Sequence, residues 1–170
     1  MRKPLKLSIL AAALAASALV LVGSPASATT NFANAPSGAH YANRSGEPVC
    51  TVNGLTVTCT GTAIQGVGNT NATLNLAVTT TFSGVCHNPG TNSKVVEPFS
   101  RSETNSNSAE LTASRNGRLA VPAQSVSGPD PADFTCPNPN WTPEVTSAVT
   151  SFEYSLTFAG FDQPVIHIAG

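Results

Sequence analysis

Four cysteines, three histidines and a cluster of Asp and Asn residues are the side chains of this sequence that could carry chemistry. Cys50, Cys59, Cys86 and Cys136 could pair as disulfides, ligate a metal or supply a nucleophile. No C-x-x-C spacing is present, and His87 follows Cys86 directly, so on a strand the two side chains diverge and cannot share a metal ion. Disulfides are therefore the expected state of all four. The ten-residue segment Cys50–Cys59 reads CTVNGLTVTC, nearly a palindrome. A hairpin whose loop runs from Asn53 to Thr56 sets Val52 opposite Val57 and Cys50 opposite Cys59, within disulfide reach. A tight Asn53-Gly54 turn would instead face Cys50 with Val57. The first register satisfies the disulfide and leaves Cys86 to pair with Cys136.

The histidines do not nominate an acid–base site. His40, His87 and His167 are scattered along the chain, with no carboxylate at helical or strand spacing to orient them. Glu97 and Glu103 could meet in space, but nothing marks them as a catalytic pair. The chain also lacks G-x-S-x-G, H-E-x-x-H, a P-loop and a dinucleotide fingerprint. A non-enzymatic protein with no cofactor is the expectation. Asp130, Asp133, Asn138 and Asn140 gather oxygen ligands that extracellular Ca²⁺ modules use. Prolines interrupt them without EF-hand spacing, so they are expected to set turns, and no metal site is assigned. Trp141, the single tryptophan, lies beside Cys136 with Asn138 and Asn140. These three residues form the candidate binding group: a sugar ring could stack on the indole, although a Trp next to a disulfide more often packs as cover.

The elements that must hold these residues begin with a leader. Arg2, Lys3 and Lys6 precede an apolar, alanine-rich run from Leu7 to Val22, and Ala26-Ser27-Ala28 is a small-x-small cleavage site. This is the pattern of a secretory signal peptide over residues 1–28, too short and too promptly broken by Gly23-Ser24-Pro25 to be a membrane span. Removing 28 of the 170 residues leaves 142, and three of the eight basic groups leave with them, so five basic face nine acidic groups at net −4. A chain of that size can close one core. Its few charges and few aromatics exclude a basic nucleic-acid binder, a coiled coil and an acidic disordered tail. The product is expected outside the cell, not inserted in a membrane, where four cysteines oxidise.

Residues 29–48 show no periodicity and read as a flexible N-terminal segment, with order starting near Val49. From Ala72 to Phe82 the sequence alternates, placing Leu74, Leu76, Val78, Thr80 and Phe82 on one face. From Ser147 to Ala159 it alternates again, with Phe152, Tyr154, Leu156 and Phe158 inward. Shorter strands are expected at Leu55–Thr62, Val95–Arg101 and Val165–Ala169, the last with Ile166 and Ile168 inward and His167 outward. Asn116-Gly117 predicts a two-residue hairpin pairing Arg115 with Arg118 and Ser114 with Leu119. The stretch from Gly128 to Pro143 holds five prolines and reads as a long loop pinned by Cys136. Many short strands punctuated by Gly and Pro over residues 49–170 point to an all-β antiparallel sandwich, immunoglobulin-like or related, with two disulfides.

Gly66-Val67-Gly68-Asn69, Cys86-His87-Asn88-Pro89-Gly90, Arg115-Asn116-Gly117 and Cys136-Pro137-Asn138-Pro139-Asn140-Trp141 together resemble a group of small secreted β-rich proteins of actinobacteria. The resemblance covers about Cys50 to Phe158 and implies an exported β-sandwich with structural disulfides. The group has no assigned activity, so no catalytic residue carries over. The functional expectation is an extracellular or cell-surface interaction module, meeting a protein or envelope polymer through loops or an exposed sheet edge. A glycan-binding module using Trp141, Asn138 and Asn140 comes second, and a protease inhibitor third.

Overall fold

The computed structural model describes Ala26, residues 28–91 and residues 94–170. The expected leader, 1–28, lies outside the described residues apart from Ala26 and Ala28. The strands are β1 (Thr29–Thr30), β2 (His40–Tyr41), β3 (Cys50–Asn53), β4 (Thr56–Cys59), β5 (Thr62–Gln65), β6 (Ala72–Asn88), β7 (Lys94–Leu111), β8 (Arg118–Val121), β9 (Gln124–Ser127), β10 (Thr142–Phe158) and β11 (Ile166–Ala169). Every strand pairing is antiparallel. The all-β antiparallel class and both expected disulfides, Cys50–Cys59 and Cys86–Cys136, are present. Among the described residues no helix is long and apolar enough to cross a membrane.

One layer is a five-stranded sheet in the order β1-β11-β10-β6-β7. The facing layer consists of two small sheets, β2-β5-β8 and β3-β4-β9. They meet where β4 leads into β5 and β8 into β9, the links Thr60-Gly61 and Pro122-Ala123 lying side by side at one corner. Gly61 sits at that corner because a Cβ there would press on the Val121 carbonyl and the Ala123 amide. A strand expected to run unbroken from Leu55 to Thr62 is thus two strands in two sheets.

The alternation read from the sequence determines the core. Leu74, Leu76, Val78, Thr80 and Phe82 of β6 are buried, as are Phe152, Tyr154, Leu156 and Phe158 of β10 and Ile166 and Ile168 of β11. Val57, Ile64, Leu119 and Val121 meet them from the second layer. Each such side chain contributes about 1.5–3 kcal/mol through loss of water contact, enough for a single core to hold two layers together. The hairpin β3–β4 has the expected register, Cys50 opposite Cys59 and Val52 opposite Val57. Its two central residues are Gly54 and Leu55, and Gly54 takes the positive φ of 60° that lets so tight a turn match the strand twist.

Three expectations are corrected. Residues 29–48 are not a loose arm: β1 pairs with β11, β2 pairs with β5, and Ala35 and Ala42 are buried. Tyr41 anchors the segment, with its ring edge-on to Phe32 at 5.2 Å and its hydroxyl 2.7 Å from that of Thr30. Two-residue strands are too short to display a period, which is why this order is invisible in the pattern. Second, Arg118–Val121 pairs with β5 rather than folding back on residues 112–115. The turn is three residues long: Ser114 receives a hydrogen bond from the Gly117 amide and donates its own amide to the Arg118 carbonyl, with Gly117 at φ 71°. Third, β6, β7 and β10 run 17, 18 and 17 residues, well beyond the apolar alternation that betrayed them.

Candidate functional site

At about 3.3 Å per residue the three long strands extend roughly 55 Å, nearly twice the span of the core they cover. Their proximal halves pack against the second layer. Their distal halves, β6 beyond Thr80, β7 before Glu103 and β10 before Phe152, continue as a three-stranded ribbon. The register follows β10–β6–β7 along the ribbon: Ser151, Thr79 and Thr104 form one row, and Val149, Thr81 and Ser102 the next.

One face of this ribbon is covered by the proline-rich loop. The Cys86–Cys136 disulfide ties the loop down, and Phe134 stacks on Phe99 at 4.0 Å while meeting Phe82 edge-on at 5.8 Å. Gly84 lies under this cluster because a Cβ there would collide with the Glu144 carbonyl and the Phe99 ring. The flanking strands bulge near this cluster, Thr146 being extra in β10 opposite Ser83 and Gly84, and Val96 extra in β7 opposite Cys86 and His87. The Thr146 hydroxyl donates to the Ser83 carbonyl at 3.2 Å.

The other face is open and hydroxyl-rich. Thr79 bonds Thr104 across the strands at 2.7 Å, and Thr81 bonds Ser102 at 2.5 Å. Where the ribbon joins the core, Ala77, Thr79, Thr104, Ser151, Glu153 and His167 line a shallow depression of about 470 Å³. At the far end His87, Pro89, Thr142, Pro143 and Glu144 line a second, of about 360 Å³. Each depression contains a histidine–carboxylate pair, His167–Glu153 at 3.3 Å and His87–Glu144 at 2.6 Å. Both pairs are diagonal neighbours on adjacent strands, 14 and 57 residues apart in sequence. Only the strand register could have revealed them. With both carboxylates largely in solvent, each pair adds little to stability.

The residues singled out from the sequence are distributed differently. Asn138 accepts from the Asn140 amide at 3.0 Å, Asp130 accepts from the Ala132 amide at 2.9 Å, and the Trp141 amide donates to the Asn138 carbonyl at 3.0 Å. These Asx groups thus serve turns, the role expected of them. Trp141 is half-buried at the start of β10, one residue before the far depression. Glu97 and Glu103 lie six residues apart on one extended strand, about 20 Å, so they cannot share a proton.

The feature that sequence reasoning missed is the exposed apolar surface. Among the described residues Val49, Val95, Val96, Val145 and Val149 are the exposed large apolar side chains. All but Val49 are on the distal ribbon, Val149 (61%) on the hydroxyl face with Thr81 and Val145 on the loop side opposite Gly84. The order β1-β11-β10-β6-β7 leaves β7 as an edge, and β11 covers β10 only from Glu153 to Leu156. Among the described residues the distal ribbon therefore has two unpaired edges. Comparison with protein-family models, with curated proteins and with solved structures returns no match.

Proposed function

We propose that the protein is a secreted, non-enzymatic interaction module of the extracellular space or cell surface, and that the distal ribbon is the element that meets its partner, a protein or an envelope polymer. The observation that carries this reading is the placement of four exposed valines on strands that continue beyond the core. Single exposed apolar side chains are ordinary, so it is the gathering of four on one braced ribbon that supports the reading. The brace is substantial here, a disulfide and three aromatic rings under one face. The disulfides support an oxidising location, and the leader read over residues 1–28 supports export.

The test is capture from culture medium and cell envelope on the immobilised protein, beside a Val95→Ser, Val96→Ser, Val145→Ser triple variant. The expected result is a captured component lost with the variant while its Tm stays within a few degrees. Capture that survives the triple substitution, or no capture from either source, contradicts the reading.

A second reading, glycan binding, is favoured by the depression beside the core, where the hydroxyls of Thr79, Thr104 and Ser151 adjoin Glu153 and His167. Titration with envelope polysaccharide should then be weakened by Glu153→Gln. Quenching of Trp141 fluorescence by iodide, relieved by polysaccharide, would move the glycan to the tryptophan instead.

A further inference from the structure

Phe152 exchanges both of its backbone hydrogen bonds with Gly170, its amide donating to the Gly170 carbonyl at 2.8 Å and its carbonyl accepting from the Gly170 amide at 3.2 Å. In an antiparallel ladder every second residue points its N–H and C=O to the same side. Thr150 and Ala148 therefore aim their backbone groups at the side Phe152 uses, where no strand pairs with them among the described residues. We infer that this edge of β10, Ser147–Ser151, pairs with the same segment of a second copy of this chain, forming a two-fold antiparallel dimer centred on Val149.

The register follows from the constraints. A two-fold pairing must match outward-pointing residues with outward-pointing residues and must stop before Phe152, which is already bonded. Centring on Val149 places Ala148 opposite Thr150 of the copy, and the reverse, so every outward group in the segment is used. Val149, the most exposed large apolar side chain among the described residues, then faces its own counterpart at the close-approach position of the ladder. Ser147 faces Ser151. The segment Ser-Ala-Val-Thr-Ser is nearly palindromic, as an isologous contact requires. Beyond Ser147 the chain would run into the copy's β11, and the Thr146 bulge bends β10 at that point.

The other long edge shows what a guarded strand looks like. β7 carries Glu97, Pro98, Arg101 and Glu103, all exposed, together with the Val96 bulge, and Asn105 bonds the Ser127 carbonyl at 2.9 Å. Charges, a proline and a bulge are the usual devices against strand addition. From Ser147 to Ser151 there is no charge and no proline. The nearest charged groups, Glu144 and Glu153, are each held by a histidine. This inference goes beyond the proposed function, since a chain with no other partner could still pair with itself.

Sedimentation equilibrium of the purified protein across a concentration series is expected to show the mass rising from one copy to two. Ala148→Pro removes an outward N–H and fills the edge without touching a bond to β6, so it should weaken self-association at least about tenfold with Tm little changed. Val149→Cys should cross-link to a dimer under oxidation, whereas Val95→Cys should not. A single-copy mass at every concentration, or a dimer indifferent to Ala148→Pro and unlinked by Val149→Cys, overturns the inference.

Discussion

β6 and β10 are each one continuous strand, yet their two halves serve different ends. In the proximal half Leu74, Leu76 and Val78 face Leu156, Tyr154 and Phe152 across the ladder, all in the core. In the distal half Phe82 packs against Phe99 of β7 and Phe134 of the proline-rich loop, while Val145 and Val149 stand in water. Both halves are antiparallel ladders, although the distal one is bulged at Thr146 and Val96 and poorer in large apolar residues; the further difference lies in what covers each face. Strand pairing alone does not bury a sheet, and where the second layer ends a separate device is needed. Here that device is the Cys86–Cys136 disulfide with its aromatic cluster.

The sharpest way to break this contrast is to remove the two disulfides one at a time. Cys86 and Cys136 close a loop of sequence separation 50, and Cys50 and Cys59 one of 9. Chain entropy assigns about 4 kcal/mol to the long link and about 2.5–3 to the short one. Replacing Cys86 and Cys136 with alanine should therefore lower urea stability more than replacing Cys50 and Cys59. It should also leave the distal ribbon open to protease while the proximal core persists. Equal losses would mean the loop is held by something other than the disulfide.

Truncations within β10 should separate the halves next. Leu156→Ala, in the core, is expected to lose about 2–5 kcal/mol, whereas Val149→Ala, seven residues away on the same strand, should stay within about 0.5 kcal/mol. Matching losses from the two, measured by chemical denaturation, would show that the distal half is as buried as the proximal.

A smaller effect comes from Tyr154. Burial, and then the nearby Tyr41, push its hydroxyl up to about 12, and among the described residues its Oη has no hydrogen-bond partner. The folded state thus holds the proton more tightly than the unfolded chain, which titrates at about 10. The stabilisation is complete below pH 10 and is lost as pH rises towards 12, at most about 2–3 kcal/mol. Tyr41 is raised as well, chiefly by burial, with the hydrogen bond it shares with Thr30 opposing and Glu47 adding a little. Tm measured from pH 8 to 12 should fall above pH 10, and Tyr154→Phe should flatten most of that fall. An unchanged profile in the variant would place the alkaline transition elsewhere.

The proximal half was legible in the sequence and the distal half was not, for a definable reason. Alternation at Leu74–Phe82 and Phe152–Phe158 exists because one face is buried and the other wet. On β7, from Ser100 to Ser108, every side chain is exposed, so a wholly polar run of Ser, Thr, Asn, Arg and Glu carries no period to read. Cys50–Cys59 could be paired from its palindrome because both strands lie within ten residues. The histidine–carboxylate pairs needed the strand register, His87–Glu144 across 57 residues and His167–Glu153 across the 14 that separate them on β10 and β11. The open edge of β10 needed the whole sheet order, which depends on where β11 stops. Residues 29–48 show no period because their order is tertiary, set by Phe32, Ala35 and Tyr41 fitting against a core built later in the chain.

Residue-resolved amide hydrogen exchange along β10 in dilute solution tests the division most directly. The N–H groups of Phe152, Tyr154 and Leu156 should be strongly protected, and those of Ala148 and Thr150 should exchange nearly as fast as free amides, becoming protected as concentration rises. Uniform slow exchange from Ala148 through Leu156 at all concentrations would contradict an open distal edge.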